Sequence, residues 1–241
     1  MTTDVVFLLD VDNTLLDGDR IVADLREHLR SAFGVDCAKR YFAILEGLRD
    51  ELGYVDYLGA LQRYRTDVAH GSTAEQKLLM MSAFLIDYPF ADRLFPHVLE
   101  LIRCLGRLGL TVVLTDGDVV FQPRKVQRSG LWDAVHGRVL ICVHKEQELD
   151  AVQRHYPARH YVMVDDKLRI LAAMKAVWQE RLTTIFVRQG HYAMDAEAVA
   201  RQPAADFTIA SIGDLVELAD SDLSPLIKRL IDEARIPLEK S

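Results

Sequence analysis

Cysteines, runs of basic residues and long apolar segments are scarce in this 241-residue chain, and each absence excludes a class of protein. The three cysteines, Cys37, Cys104 and Cys142, are odd in number and lack a CxxC spacing, so we expect neither a disulfide framework nor a zinc site. Acidic residues outnumber basic ones by 36 to 29, and both are interspersed along the chain. This pattern argues against a protein that holds nucleic acid in a groove.

The apolar segments are too short for membrane insertion. The first of them spans residues 5–9, and the first basic residue is Arg20, so the pattern of a signal peptide is missing. We therefore expect a cytoplasmic protein that has no membrane partner. Half of the residues are hydrophobic, which is enough for a substantial core, and the length suits one core with a large insertion.

Five short apolar segments, each ending close to a polar residue, are typical of parallel strands that are buried on both faces. They span residues 5–9, 110–114, 139–143, 161–164 and 184–187. Between them the apolar residues keep helical spacing, as at residues 98–108. Strands that alternate with helices predict an α/β protein with a doubly wound parallel sheet, in which ligands bind beyond the carboxyl ends of the strands.

Residues 16–95 differ, because they contain no comparable strand. Amphipathic helical spacing is found there at residues 21–33, 40–52 and 74–86. We expect residues 1–15 and 96–241 to form the α/β core and residues 16–95 to form an inserted, all-helical cap. Towards the end of the chain the pattern predicts two further helices, at residues 214–218 and 225–234.

Two aspartates, Asp10 and Asp12, follow the first predicted strand. Transfer of a phosphoryl group to a carboxylate needs a nucleophile in line with phosphorus and an acid that protonates the leaving oxygen. Two aspartates at this spacing can supply both groups. The alternative is a strand-end turn in which Asp12 or Asn13 caps the next segment, and for an isolated pair of aspartates it is the better explanation.

Polar residues also follow the second and third predicted strands. Thr115, Asp116 and Gly117 can offer a phosphate one hydroxyl group and the backbone N–H groups that a tight glycine turn exposes. Lys145 can neutralise phosphate charge and hold the carboxylate of Asp10. Each of these segments taken alone is explained as well by an ordinary turn or a surface lysine.

Two adjacent acids, Asp165 and Asp166, end the fourth predicted strand. They favour a cation between them, and Mg²⁺ fits because it takes a few carboxylates and keeps water and substrate phosphate as its other ligands. The alternative is a helix N-cap, in which one aspartate satisfies the first turn of a helix that begins at Lys167. Both interpretations can hold, one for each aspartate.

In this order and at these strand ends, the four segments resemble the signature motifs of the haloacid dehalogenase superfamily of phosphotransferases. The resemblance covers residues 1–15 and 96–215, and it implies a Rossmann-like core with residues 16–95 as a helical C1 cap. It implies these roles: Asp10 as nucleophile and metal ligand, Asp12 as general acid and base with its backbone carbonyl on the metal, Thr115 on the phosphate, Lys145 as the third-motif lysine, and Asp165 with Asp166 as the remaining metal ligands.

Some residues near the motifs depart from the family's pattern. Glu146 follows the third-motif lysine where many relatives have proline, and Asp165 stands where glycine is frequent. The second segment is more acidic than usual, so Asp116 or Asp118 can tune the choice of metal or substrate. Residues 188–192 follow the fifth predicted strand, where packing at the sheet edge explains them as well as substrate contact does.

Two lysines compete for the role of the cation that neutralises the phosphate. Lys125 lies in a segment where Pro123 suits the first turn of a helix, so we expect its side chain to point along the flank of that helix. Lys145 directly follows a strand, at the edge where Asp10 and Asp166 also lie. We therefore assign the role to Lys145 and predict little effect from the removal of Lys125.

These residues predict a magnesium-dependent phosphatase that hydrolyses a small phosphorylated metabolite through an aspartyl-phosphate intermediate. The same residues would serve a phosphomutase, because the cap alone can decide whether water or a sugar hydroxyl accepts the phosphoryl group. A phosphate-binding or regulatory module without turnover is a different class of function, against which the intact acids, Thr115 and Lys145 argue. A dehalogenase has no use for a general acid at Asp12. The sequence predicts neither the substrate nor the oligomeric state.

Overall fold

A six-stranded parallel sheet lies at the centre of the structure, a computed structural model that describes residues 3–67 and 72–218. The strands are β1 Thr3–Leu9, β2 Leu110–Asp116, β3 Val139–Cys142, β4 Ala158–Asp165, β5 Leu182–Val187 and β6 Phe207–Ile209. Their order across the sheet is β3-β2-β1-β4-β5-β6. This is the order of a doubly wound, Rossmann-like sheet, so the predicted fold class is confirmed, with β6 as an addition to the five predicted strands.

The apolar sequence of β1 places this strand in the interior of the sheet. All residues from Val5 to Leu9 are fully buried. β1 pairs with β2 on one side and with β4 on the other, so that Leu9 lies beside both Val113 and Val164. The strand order therefore changes direction at β1, and the carboxyl ends of β1, β2 and β4 meet at one edge. Ligands bind at such a position in open α/β sheets.

Four helices of the described residues form the insertion that follows β1. They are α1 Gly18–Phe33, α2 Val35–Leu52, α3 Tyr57–Asp67 and α4 Ser72–Asp87. The three predicted helical segments fall inside α1, α2 and α4, whereas α3 was not predicted. Its buried side is short, comprising Ala60 and Leu61, which explains why periodicity did not reveal it. Gly53 ends α2 with a left-handed φ of 81°, a conformation that glycine adopts at helix C-caps without strain.

The inserted helices share a hydrophobic core with one face of the sheet. Leu25 of α1 and Tyr41 of α2 belong to the same buried cluster as Leu9 of β1. The other face has its own cluster, which includes Leu8 and Met163. Apolar packing is therefore continuous between the insertion and the sheet.

The remaining helices of the described residues are α5 Val98–Leu108, α6 Phe121–Arg128, α7 Leu131–Ala134, α8 Leu149–His155, α9 Leu168–Trp178, α10 Gly190–Met194, α11 Ala196–Ala200 and α12 Asp214–Leu218. Among them, α5 packs against β2, and α9 packs against β4 and β5. α5 and α12 coincide with predicted helices, and the predicted helix at 225–234 lies outside the described residues. No helix within residues 3–67 and 72–218 is long and apolar enough to cross a membrane.

Candidate active site

The structure brings all four predicted segments to the carboxyl edge of the sheet. Asp10 follows β1 directly, Thr115 is the next-to-last residue of β2, and Asp165 is the last residue of β4. Lys145 begins a single 3₁₀ turn a few residues beyond β3. Because these strands are parallel, each polar residue that ends a strand arrives at the same edge.

Lys145 is fully buried and lies between two carboxylates. Its Nζ atom is 2.5 Å from Oδ1 of Asp10 and 2.7 Å from Oδ2 of Asp165. Burial alone would lower the pKa of Lys145, but the charges of these two aspartates raise it above its ordinary value. The ammonium group therefore stays charged and fixes both carboxylates.

Three buried carboxylates, those of Asp10, Asp165 and Asp166, form a cluster in which one oxygen of each lies within 4.8 Å of the others. Burial raises the pKa of Asp10 to about 6, and burial together with the charge of Asp165 raises the pKa of Asp166 to about 9. Oδ2 of Asp10 and both carboxylate oxygens of Asp166 have no hydrogen-bond partner. Such oxygens suit a hard divalent cation, so the donor set fits Mg²⁺.

Asp165 also serves the backbone at the start of α9. Its Oδ1 atom accepts a hydrogen bond of 2.8 Å from the backbone N–H of Lys167. The N-cap of α9 is Lys167, and no side chain caps the first turn of this helix, so neither aspartate has the predicted N-cap role. Asp165 contacts the backbone just before the helix, and Asp166 contributes to the cluster alone.

Asp12 lies in different surroundings from Asp10. Its carboxylate accepts hydrogen bonds from Nζ of Lys125 at 2.7 and 2.8 Å and from Nε2 of Gln122 at 3.0 Å. Burial would raise the pKa of Asp12, but the charge and hydrogen bonds of Lys125, with that of Gln122, hold it below its usual value. The Asp12 carboxylate is not part of the three-carboxylate cluster, and the metal contact of its backbone carbonyl stays a prediction.

The expectation that Lys125 points along the helix flank is wrong, and the basis for predicting little effect from its removal is lost with it. Lys125 is only 4% exposed and its ammonium group enters the site. α6 begins at Phe121, so Pro123 lies in its first turn as predicted, and Lys125 lies about one turn into the helix, three residues beyond Gln122. Lys125 and Gln122 consequently share the face of α6 that is turned towards Asp12.

The segment after β2 uses its polar groups internally. The carboxylate of Asp116 accepts a bond of 2.8 Å from the backbone N–H of Lys145, and the carboxylate of Asp118 accepts bonds of 2.9 and 2.7 Å from Val120 and Phe121 at the start of α6. These contacts give both acids structural roles, and the tuning of metal or substrate by Asp116 or Asp118 stays a prediction. Thr115 is buried, and its hydroxyl group accepts a bond of 2.9 Å from Gln122.

Gly117 differs from the expectation that its N–H group is exposed to a phosphate. This N–H donates to the carbonyl of Cys142 at 2.9 Å, because the pairing between β2 and β3 continues past the end of β2. Gly117 is needed for another reason: a Cβ atom there would lie 2.8 Å from the side chain of Gln122. The small residue allows Gln122 to approach the site closely.

The segment 188–192 contacts both the first motif and the insertion. The side chain of His191 lies 2.6 Å from Asp19 of α1, and a Cβ atom at Gly190 would lie 2.4 Å from Asn13. Arg49 of α2 donates a hydrogen bond to the hydroxyl group of Tyr192. Sequence reasoning did not identify Arg49. The only sign of this contact in the sequence was on the other side, the Gly-His-Tyr sequence that follows a strand end.

This fold and site define an α/β enzyme. Its acidic residues and a lysine lie at the carboxyl edge of a Rossmann-like sheet. A family model described as haloacid dehalogenase-like hydrolase matches residues 5–177. The chain belongs to this family of hydrolases.

Comparison with solved structures agrees with this assignment. A haloacid dehalogenase-like hydrolase from Burkholderia xenovorans LB400 is 60% identical over 92% of this chain and 98% of its own, with a TM-score of 0.84. The HAD-hydrolase YfnB from Bacillus subtilis, solved with bound magnesium, is 16% identical over 90% of this chain and 99% of its own, with a TM-score of 0.58.

A 2-haloacid dehalogenase from Pseudomonas syringae pv. Tomato DC3000 is 19% identical over 90% of this chain and 98% of its own, with a TM-score of 0.62. At 19% identity this similarity establishes the fold alone, and the same holds for YfnB at 16%. No curated protein matches the chain.

Proposed function

We propose that the protein is a cytoplasmic, magnesium-dependent phosphatase that hydrolyses a small phosphorylated metabolite through an aspartyl-phosphate intermediate. The observation that carries this proposal is the separation of Asp10 from Asp12. Asp10 belongs to the cluster with unpartnered oxygens, whereas Asp12 lies outside it, against Lys125 and Gln122. Phosphoryl transfer to a carboxylate requires such a division between a nucleophile and a separate acid.

The reaction has two steps. In the first, an oxygen of Asp10 attacks phosphorus, the ester P–O bond breaks, and the leaving oxygen takes a proton from Asp12, which reacts in its protonated form although Lys125 favours its carboxylate. In the second, water attacks phosphorus and gives its proton to Asp12, while the bond between Asp10 and phosphorus breaks and releases inorganic phosphate. Both aspartates then have their starting protonation states again.

Asp10, Asp165 and Asp166 are the residues that would hold Mg²⁺. When bound, the ion neutralises negative charge on the carboxylates and the phosphate. Lys145 supplies further positive charge and holds Oδ1 of Asp10, which leaves Oδ2 without a hydrogen-bond partner. Lys145 therefore fixes the orientation of the Asp10 carboxylate through one oxygen and leaves the other oxygen free to react.

The four inserted helices are proposed to act as the cap of this site. Two contacts support this role. Arg49 of α2 donates to the hydroxyl group of Tyr192, and the ring of Tyr57, at the start of α3, lies 5.1 Å from that of Phe121 at the start of α6. Both contacts join the insertion to the carboxyl edge, where a cap would exclude bulk water from the reaction.

The test is the release of inorganic phosphate from p-nitrophenyl phosphate, with Mg²⁺ and with excess chelator. We expect turnover only with the metal and a loss of at least ~10³-fold in Asp10→Asn, because an amide is neither a nucleophile nor an anionic ligand. Asp150→Asn, at an exposed aspartate in the first turn of α8, is the matched control and should keep wild-type activity. Halide release from a 2-haloacid without any phosphate release would exclude the phosphatase.

A further inference from the structure

Both oxygens of the Asp12 carboxylate are held from one face of α6. Lys125 Nζ contacts the two oxygens at 2.7 and 2.8 Å, and Gln122 donates to one of them at 3.0 Å. Gln122 also donates to the hydroxyl group of Thr115 at 2.9 Å, so the same amide links the first and second motifs. Asp12 is therefore fixed in direction as well as in position.

We propose that Lys125, assisted by Gln122, is the positioning residue for Asp12 and directs its carboxyl group towards the oxygen with which it exchanges a proton. In the first step this oxygen belongs to the leaving group, and in the second step to water. The proposal rests on the proposed phosphatase function and extends it to a residue outside the four motifs.

The placement of Lys125 supports a dedicated role. Burying an ammonium group is costly unless a counter-charge lies beside it, and Asp12 supplies that charge. The adjacent Arg124 points elsewhere: its side chain is exposed and lies 3.8 Å from Asp87, at the end of α4. Asp118 fixes the start of α6 through two backbone N–H groups, and this holds the helix in register with Asp12.

A positioning role for Lys125 differs in its kinetics from two simpler roles. If Lys125 attracted the phosphate, its removal would slow the reaction of every phosphate ester equally. If Lys125 only stabilised α6, its removal would lower thermal stability and would also affect all substrates alike. A lysine that acts through Asp12 matters most where the leaving group needs a proton.

The experiment compares kcat/KM for phenyl phosphate and dinitrophenyl phosphate, because kcat/KM reports the transfer to Asp10. Phenolate is a basic leaving group that needs the proton of Asp12, whereas dinitrophenolate leaves without it. We expect Lys125→Met to lose ~10²-fold on phenyl phosphate and less than about tenfold on dinitrophenyl phosphate. Lys125→Arg should recover most of the loss, and Arg124→Met, the control on the same helix, should match wild type on both substrates.

A double-mutant cycle tests whether Lys125 acts through Asp12. In an Asp12→Asn background, Lys125→Met should change kcat/KM on phenyl phosphate by less than about threefold, because the proton exchange is already lost. Should Lys125→Met not fold, as judged by circular dichroism, Gln122→Leu replaces it, with the same preferential loss expected.

Equal losses on the two substrates, or additive losses in the cycle, would overturn the positioning role while leaving the phosphatase intact. A wild-type enzyme that hydrolyses neither ester would overturn the proposed function and this inference together. The two failures are therefore distinguishable.

Discussion

At the scale of single residues, Asp10 and Asp12 are two positions apart, yet their carboxylates have different neighbours. A tight turn follows them: the backbone N–H groups of Leu15 and Leu16 both bond to the carbonyl of Val11, and Asn13 has a left-handed φ of 60°. Asn13 tolerates this conformation better than most residues do. The turn lets one aspartate remain in the buried cluster while the other contacts α6.

Removal of Lys145 should cost both stability and activity. In Lys145→Met, Asp10 and Asp165 remain buried without their counter-charge, so we expect the free energy of unfolding in chelator to fall by about 3–5 kcal/mol. The kcat should fall by ~10²-fold or more, as for the loss of one charge-stabilising donor. Urea unfolding and steady-state kinetics measure the two effects.

Arg169→Met is the control for this variant, since Arg169 also pairs with an acid, Glu146, but is 61% exposed. Exposed pairs contribute little, so its stability should change by less than about 1 kcal/mol. A Lys145→Met protein as stable as wild type would show that the buried pair does not hold the cluster together.

At the scale of elements, α6 determines the arrangement around Asp12, and its start depends on Asp118. This carboxylate accepts bonds from the backbone N–H groups of Val120, just before α6, and of Phe121, its first residue. Asp118→Ala should therefore lower the free energy of unfolding by about 1 kcal/mol, whereas Asp118→Ser, which can also cap a helix, should retain most of it. Equal urea midpoints for Ala and wild type would rule out the capping role.

Strand β4 carries a buried histidine that makes stability depend on pH. Burial, with the charge of Lys175, lowers the pKa of His160 from 6.5 to about 4. Between these values the unfolded chain binds a proton that the folded chain does not, so stability falls as pH drops from 6.5 towards 4, and this contribution is fully present above pH 6.5.

The variant His160→Gln isolates this effect, because it keeps a polar group near Thr183, to which His160 bonds at 2.9 Å. Its unfolding free energy should vary less with pH across this window than that of wild type. Parallel pH profiles for the two proteins would mean that His160 binds its proton equally well in both states.

The sequence could predict the sheet and most of the site, because apolar segments define buried strands and parallel strands end at a common edge. This reasoning identified Asp10, Thr115, Lys145 and the two aspartates at the end of β4. It did not reach Gln122, and it rejected Lys125, because the periodicity of a short helix does not show which of its faces is turned towards a neighbouring strand end. In the structure both residues lie on the face of α6 that contacts Asp12.

At the scale of the whole molecule, contacts between distant parts of the chain were beyond sequence reasoning. Arg49 and Tyr192 are 143 positions apart, and Asp19 and His191 are 172 apart. No local pattern encodes such pairs. They arise because the inserted helices share the hydrophobic core of the sheet and so are carried to its carboxyl edge.

Metal binding should stabilise the whole fold. The cluster of Asp10, Asp165 and Asp166 gathers more carboxylates than Lys145 can neutralise, so Mg²⁺ should raise the melting temperature of the wild type, by an amount equivalent to about 2.7 kcal/mol at about 100 times Kd. Asp166→Asn should lose this shift, and Asp150→Asn should keep it. Calorimetric titration with Mg²⁺ measures the same binding without turnover, and a wild type that gives neither heat nor a shift would argue against the metal site.

Mass spectrometry of acid-quenched enzyme during turnover of p-nitrophenyl phosphate is the most direct test of covalent transfer to Asp10. The peptide that contains Asp10 should gain the mass of one phosphoryl group in the wild type and none in Asp10→Asn. In Asp12→Asn, supplied with dinitrophenyl phosphate, the modified peptide should accumulate, because water then lacks its base. Steady release of phosphate with no phosphoryl group on this peptide, or with the group on another residue, would contradict the aspartyl-phosphate mechanism.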